Sequence, residues 1–260
     1  MHYDVVASIV TYNNSIERVI QTARSFLDTS LNVRLVIIDN NSPDKTLEKL
    51  QGKIEADFIQ TGRNGGYSFG HNHGIDKYPN TEFYLVLNPD VTIHPGALEE
   101  LVKYMRQNDN VGMISPQILN PDGSIQYLCK QNPTLFAQFL RRFLPSFLKK
   151  LSTYKRYMDW YEMRETGYNG IFQVPYLSGC FMFFRSNILH QIGKLDENFF
   201  MYLEDADITR RVNQISRAIY FPYAQITHDW HRGSYKSLKL TLISIKSSIY
   251  YFQKWGTKLF

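Results

Sequence analysis

The chain has 260 residues, with 29 Lys and Arg against 24 Asp and Glu, a formal net charge of +5. Its length supports one large domain, or one with an appendage, and 43% hydrophobic residues with 10 prolines exclude a disordered chain. A sequence pI of about 9.0 invites a nucleic-acid reading, but residues 130–165 carry net +5 and residues 230–260 net +6, leaving an acidic remainder of −6.

The first 115 residues alternate strand and helix signals. Val5–Val10 is a β-branched apolar run, followed by a helix capped at Asn14 or Ser15. Val33–Ile38 is a second strand, closed by Asp39-Asn40-Asn41-Ser42, and Ser42-Pro43 opens a helix. Phe58–Gln60 is a weak strand before a loop, 62–74, that holds 5 of the 15 glycines. A helix starting near Gly70 would aim amide groups at a diphosphate. Phe83–Leu87 is a strand ending in Asn88-Pro89-Asp90; a helix from Pro95 and the strand Val111–Ile114 follow. Strands alternating with helices predict parallel pairing, hence an α/β sandwich. Residues 1–115 read as a nucleotide-binding half and 116–235 as an acceptor and catalytic half of the same domain.

After residue 116 the pattern changes. Asn120-Pro121-Asp122-Gly123 is a turn. Residues 136–151 carry a full helical apolar stripe that Pro145 kinks or splits, with Arg141, Arg142, Lys149 and Lys150 off the stripe. This basic aromatic insert, near 134–165, is open to two readings: a core helix, or a helix lying on an anionic membrane surface. Val174–Phe184 reads as one buried strand, too short to span a bilayer, and Glu204–Asn213 as a helix. Residues 236–260 form a C-terminal amphipathic helix, with Leu238, Leu242, Ile245, Ile249 and Phe252 on one stripe. Cys129 and Cys180 make neither a disulfide framework nor a zinc site. The N-terminus lacks the basic and apolar regions of a signal peptide, which predicts a cytoplasmic protein.

In an open α/β sheet, ligands bind beyond the carboxyl ends of the strands. Thr11-Tyr12-Asn13, Asp39-Asn40-Asn41-Ser42 and Asn88-Pro89-Asp90 all fall there. Asp90 suits Mg²⁺ or Mn²⁺, which bind carboxylate and phosphate oxygens. His228 and His231 are candidate imidazole ligands. Asp205 and its neighbours follow an apolar run, which suits general-base work, although acids at a helix start also serve the macrodipole.

Taken in order, Thr11-Tyr12-Asn13, Asp39 to Ser42, Asn64-x-Gly66-x-x-x-Gly70-x-Asn72-x-Gly74, Asn88-Pro89-Asp90, Ser178-Gly179-Cys180, Glu204-Asp205-x-Asp207-x-x-x-Arg211, His228 and Ser234 resemble an inverting family 2 glycosyltransferase. Within that family the set is similar to bacterial dTDP-rhamnosyltransferases of O-antigen and other polysaccharides. The resemblance implies a GT-A fold: a Rossmann-like mixed or parallel central sheet flanked by helices, with C-terminal amphipathic helices.

The resemblance also implies roles. Thr11, Tyr12 and Asn13 would lie near the nucleotide, with Asp39 on the pyrimidine base and Asn41 beside it. Asn64, Gly66 and Asn72 would shape the nucleotide-sugar pocket. Asp90 would be the metal-binding last residue of an Asp-x-Asp motif whose first position is Asn88 here. Ser178, Gly179 and Arg211 would line the sugar and acceptor side. Asp205 would be the general base, Glu204 would shape the pocket, and His228 would complete the metal site, with His231 as its substitute. The implied acceptor is a saccharide on a lipid diphosphate at the inner face of the plasma membrane. A sugar nucleotidyltransferase is disfavoured by Thr11-Tyr12-Asn13-Asn14, where such enzymes carry a glycine-rich basic loop. A nucleic-acid binder is disfavoured by the acidic body.

Overall fold

The computed structural model describes residues 2–145, 147–229 and 238–257; the side chains of 141–143 also lie outside the description. Arg141, Arg142, His231 and Ser234 are therefore not placed as side chains. Among the described residues the strands are β1 (Val5–Thr11), β2 (Val33–Asp39), β3 (Asp57–Gln60), β4 (Phe83–Leu87), β5 (Val91–Ile93), β6 (Val111–Leu119), β7 (Phe172–Gln173), β8 (Phe181–Arg185) and β9 (Arg217–His228). The helices are α1 (Ile16–Leu27), α2 (Thr46–Leu50), α3 (Tyr67–Lys77), α4 (Ala97–Gln107), α5 (Leu135–Phe143), α6 (Ser152–Tyr161), α7 (Ser186–Gln191), α8 (Glu204–Ile215) and α9 (Leu238–Trp255).

All nine strands form one sheet in the order β3-β2-β1-β4-β8-β6-β9-β5, with β7 beside β9. The pairs β3-β2, β2-β1, β1-β4 and β6-β9 are parallel; β8, β5 and β7 run against their neighbours. The architecture is the expected mixed α/β sheet. The parallel strands are continuous apolar runs because helices cover both their faces, and two large apolar clusters lie on opposite sides of the sheet.

The register fixes the site. Thr11 of β1 lies across from Asp39 of β2, which lies across from Gln60 of β3. Val91 of β5 pairs with His228 of β9, so the residue before β5, Asp90, arrives at the same edge as His228.

Three sequence expectations are corrected, and the break at Pro145 falls as expected. The run Val174–Phe184 is not one strand: Val174 still donates to Ala218 of β9, residues 175–180 leave the sheet, and β8 begins at Phe181. Pro175 interrupts the run, and the segment takes its hydrogen bonds from Lys130 and Asp205 instead of a ladder. The helix after Ser42-Pro43 begins at Thr46. The glycine-loop helix begins at Tyr67, where Gly66 at φ 93° turns the chain into it. The aromatic stripe splits at Pro145: α5 ends at Phe143 and only a single 3₁₀ turn, Leu148–Lys150, follows. The strand β9, twelve residues long, carries no clean alternation and was not legible beforehand.

The stripe is not a core helix throughout. Ala137 and Leu140 are buried, whereas Phe139 is 57% and Phe147 69% exposed. In α9, Ser247, Tyr251 and Phe252 are buried while Leu238, Leu242, Ile245 and Ile249 face outward. No helix among the described residues is long and apolar enough to cross a membrane.

Candidate active site

A cavity of about 1010 Å³ opens at the carboxyl ends of β1, β2 and β4. Tyr12, Asn64, Gly66, Asn88, Asp90, Ser178, Gly179, Glu204, Asp205 and His228 line it, so ten of the sequence candidates come together. Leu135 and Phe139 of α5 and Ile245 and Ile249 of α9 form its apolar flank.

Six candidates take other positions. Thr11 and Asp39 are buried beneath the wall. The Asp39 carboxylate accepts from the Thr11 hydroxyl (3.0 Å), from the Ser42 hydroxyl (2.5 Å) and amide (2.9 Å), and from Gln60 Nε2 (3.0 Å). Four donors fill its lone-pair positions, so it organises the strand ends rather than presenting a free oxygen. Asn13 and Asn41 are exposed, left-handed turn residues at φ 56° and 61°; the Asn13 amide donates to Ser42 Oγ. Asn40, between the two turns, is the one that lines the cavity, its Nδ2 donating to the Gly66 carbonyl at 2.8 Å. Asn72 exchanges hydrogen bonds with Leu195 and Glu197, because α3 carries it to the far side of the helix. Arg211 pairs with Asp207 at 2.8 Å and donates to the carbonyls of Ile192 and Lys194; its position one turn down α8 turns it from the cavity.

Asp205 sits in the first turn of α8, directly after Tyr202 and Leu203, two non-glycine residues at φ 72° and 65°. Such left-handed residues cost about 1–3 kcal/mol each and persist where the surroundings over-determine them. Here they direct the first turn of α8 into the cavity. The Gly179 amide donates to Asp205 Oδ2 at 2.9 Å and the Tyr176 hydroxyl at 3.2 Å, which holds the carboxylate in a defined position. A side chain at 179 would crowd Asp205, its Cβ lying 3.3 Å from that of Asp205. A side chain at Gly66 would collide with the Phe200 carbonyl, to which the Tyr67 amide donates.

Glu204 is buried beside Asp205. Burial first, and then the Asp205 charge, hold its carboxyl well above the usual carboxylate range. Both effects favour its protonated form, and its Oε2 has no hydrogen-bond partner.

Asp90 Oδ1 and His228 Nε2 face each other at 3.5 Å, beyond hydrogen-bond distance, and both are buried without a partner. Gln126 fixes the ring: its Nε2 donates to the His228 carbonyl at 2.7 Å, and its Oε1 lies 3.1 Å from Nδ1. An amide oxygen only accepts, so Nδ1 carries the proton and Nε2 is turned toward Asp90. Burial opposes charging this imidazole, but the neighbouring Cys180 sulfur and Asp90 carboxylate outweigh it and push it up to about 10. Among the described residues no group of three or more metal-ligating side chains exists. A cation binding here would displace the Nε2 proton; the Asp90 oxygen and the freed Nε2 would then fit a hard cation whose remaining ligands are phosphate oxygens and water.

Sequence reasoning missed Asn40, Gln126, Lys130 and Tyr176. Only Asn40 had a signal, since it lies within the flagged Asp39–Ser42 cluster.

Comparison with known proteins bears on this arrangement. The family model described as glycosyl transferase family 2 matches residues 7–193. The chain is 28% identical to an N-acetylglucosaminyl-diphospho-decaprenol L-rhamnosyltransferase of Mycobacterium tuberculosis, over 78% of this chain and 68% of that protein. It is 31% identical to a low-salt glycan biosynthesis hexosyltransferase of Haloferax volcanii, over 69% of this chain and 53% of that protein. Among solved structures, GalNAc-T7 with UDP, GalNAc and Mn²⁺ superposes with a TM-score of 0.64 at 14% identity, covering 89% of this chain. The mannosyltransferase PcManGT of Pyrobaculum calidifontis, with GDP-Man and Mn²⁺, gives 0.61 at 15%, covering 90% of this chain. The chain spans 44% and 59% of those two structures, which share the GT-A fold with it.

Proposed function

Since the chain belongs to glycosyl transferase family 2, we propose that it moves a hexosyl unit, L-rhamnose from dTDP-rhamnose, to a hydroxyl of a lipid-diphosphate-linked saccharide, inverting the anomeric carbon. The observation that carries this reading is one cavity lined by a pinned carboxylate, an orphaned Asp–His pair and an apolar helical flank. The rhamnosyltransferase relative supports the donor sugar and the class of acceptor.

In this mechanism Tyr12, Asn40, Asn64 and Asn88 bind the nucleotide-sugar and orient its anomeric carbon toward Asp205. Asp205 takes the proton of the acceptor hydroxyl as that oxygen attacks from the face opposite the nucleoside diphosphate. One carbon–oxygen bond forms while the bond to the diphosphate breaks, so no covalent sugar–enzyme intermediate arises. Asp90 and His228 would hold Mg²⁺ or Mn²⁺, which when bound supplies charge neutralisation for the departing diphosphate. Glu204, whose protonated form burial favours, would donate a hydrogen bond to a sugar oxygen. Positioning two substrates in one cavity supplies much of the remaining acceleration.

The exposed stripes of α5 and α9 support work at an anionic membrane surface. Lys149, Lys150, Lys239 and Lys246 accompany them, and each Lys near such a surface is worth about 1 kcal/mol. A radiolabel transfer assay against a panel of nucleotide-sugars tests the donor. Transfer from dTDP-rhamnose ahead of UDP-hexoses is expected; preference for a UDP-hexose would overturn the rhamnose assignment.

A further inference from the structure

We propose that Lys130 forms a phosphate subsite in the acceptor half of the cavity, where it distinguishes a diphosphate-linked acceptor from a neutral one. The proposal rests on the lipid-diphosphate reading above.

The segment 126–130 is anchored at both ends. Gln126 grips His228 through two hydrogen bonds, and Lys130 exchanges backbone hydrogen bonds with Tyr176 at 3.0 and 3.1 Å. In extended chain, alternate residues share a face. Leu128 and Lys130 line the cavity accordingly, and Gln126 supports a lining histidine. Four extended residues span at most about 14 Å, so Lys130 marks the opposite end of a short run from the Asp90–His228 pair.

Lys130 is only 5% exposed, and its ammonium lies 4.6 Å from the centre of the Tyr176 ring. The acids Asp90, Glu204 and Asp205 line the same cavity, while among its described lining residues Lys130 is the one Lys or Arg. A buried ammonium in a cavity wall is a compact point charge suited to phosphate. Tyr176 also donates its hydroxyl to Asp205, so a single tyrosine side chain separates the cation from the proposed base. That separation suits a saccharide lying between the attacked hydroxyl and the phosphate.

Beyond Lys130 the wall turns apolar, through Leu135 and Phe139 of α5, with Ile245 and Ile249 of α9 also lining the cavity. Polar, cationic and apolar groups thus line one cavity, the three chemistries of sugar, phosphate and hydrocarbon in a lipid-linked acceptor. The donor diphosphate has its own place at the Asp90–His228 end. The two sources of phosphate are thus separable by experiment.

The test compares a synthetic lipid diphosphate-saccharide with a neutral lipid glycoside bearing the same sugar. In Lys130→Met, the preference for the phosphate-bearing acceptor falls by about tenfold or more, through the acceptor KM; Lys130→Arg retains it. An unchanged preference, or a loss confined to the donor KM, overturns the proposal. A wild type with no preference defeats the lipid-diphosphate reading and Lys130 with it, whereas a preference that survives in Lys130→Met defeats Lys130 alone. If the variant does not fold, inorganic diphosphate is titrated against the wild type. Inhibition competitive with the acceptor supports the subsite, and inhibition competitive only with the donor overturns it.

Discussion

The two walls of the cavity are held by different physics. On the nucleotide side, parallel strands end in polar residues that satisfy one another, with Asp39 accepting from Thr11, Ser42 and Gln60 in one row across three strands. That wall is fixed by backbone register. On the other side, α5 and α9 leave Phe139, Ile245 and Ile249 open, and small apolar clusters plus a few polar contacts tie them to the body. The firmest of these is Lys254 of α9, which bridges Asp207 at 2.8 Å and Asp196 at 2.7 Å, while Trp255 Nε1 donates to Asp207. The difference teaches that sheet register sets the position of Asp90 and His228, whereas Asp205 is set by the first turn of α8 and the donors that hold it. In the proposed function, adaptation to the apolar part of the acceptor falls to these helices.

The largest effect is expected at Asp205, held between the first turn of α8 and the Gly179 amide. Asp205→Asn should reduce transfer by about 10²–10⁴-fold with donor binding retained, as removal of a general base does; measured turnover near wild type would break the assignment. Asp90→Ala should weaken Mn²⁺ affinity by at least about tenfold, since it removes one of two protein ligands. Calorimetric titration of Mn²⁺ in the presence of dTDP reads this directly, and wild-type activity unaffected by EDTA would remove the metal from the account.

Lys254→Met should lower stability by about 2–3 kcal/mol, because Asp207 is fully buried and loses a charge partner. Denaturant unfolding measures it, and a change below about 0.5 kcal/mol would show that α9 is held by its apolar side alone. Phe139→Ser with Ile249→Ser should weaken binding to anionic vesicles by about 1–3 kcal/mol. Flotation that is equal for variant and wild type would break the membrane half of the comparison.

The smallest effect is a pH dependence. Native Glu204 keeps its proton to higher pH than the unfolded chain does, so its burial costs stability as pH rises above the ordinary glutamate range. Glu204→Gln should therefore gain melting temperature relative to wild type between about pH 5 and 8, where the unfolded glutamate is ionised. Parallel melting curves for the two proteins would contradict the raised proton affinity.

The same contrast explains what the sequence revealed. Val5–Val10, Val33–Ile38 and Phe83–Leu87 are legible as strands because a parallel strand buried on both faces is a pure apolar run. The polar residues that close them mark the ligand edge. Asp205 and Asp90 follow from that logic. Asn72 and Arg211 do not, since motif spacing says nothing about which side of a helix meets the cavity. Asn40 and Asn41 are neighbours, and only the turn at φ 61° decides that the first faces inward. Lys130 and Tyr176 were illegible because they meet through a single bridge between segments 46 residues apart. The strand β9 was illegible because its first half is buried on both faces while its second half alternates about Pro222, so neither pattern runs its length.

Inversion tests the central claim most directly, since it follows from a single displacement driven by Asp205 with no second carboxylate acting as nucleophile. The wild type is supplied with a nucleotide-sugar of known anomeric configuration, and the product linkage is read by the one-bond carbon–proton coupling at the anomeric carbon. The account predicts the opposite configuration in the product. A product that keeps the donor's configuration would contradict it.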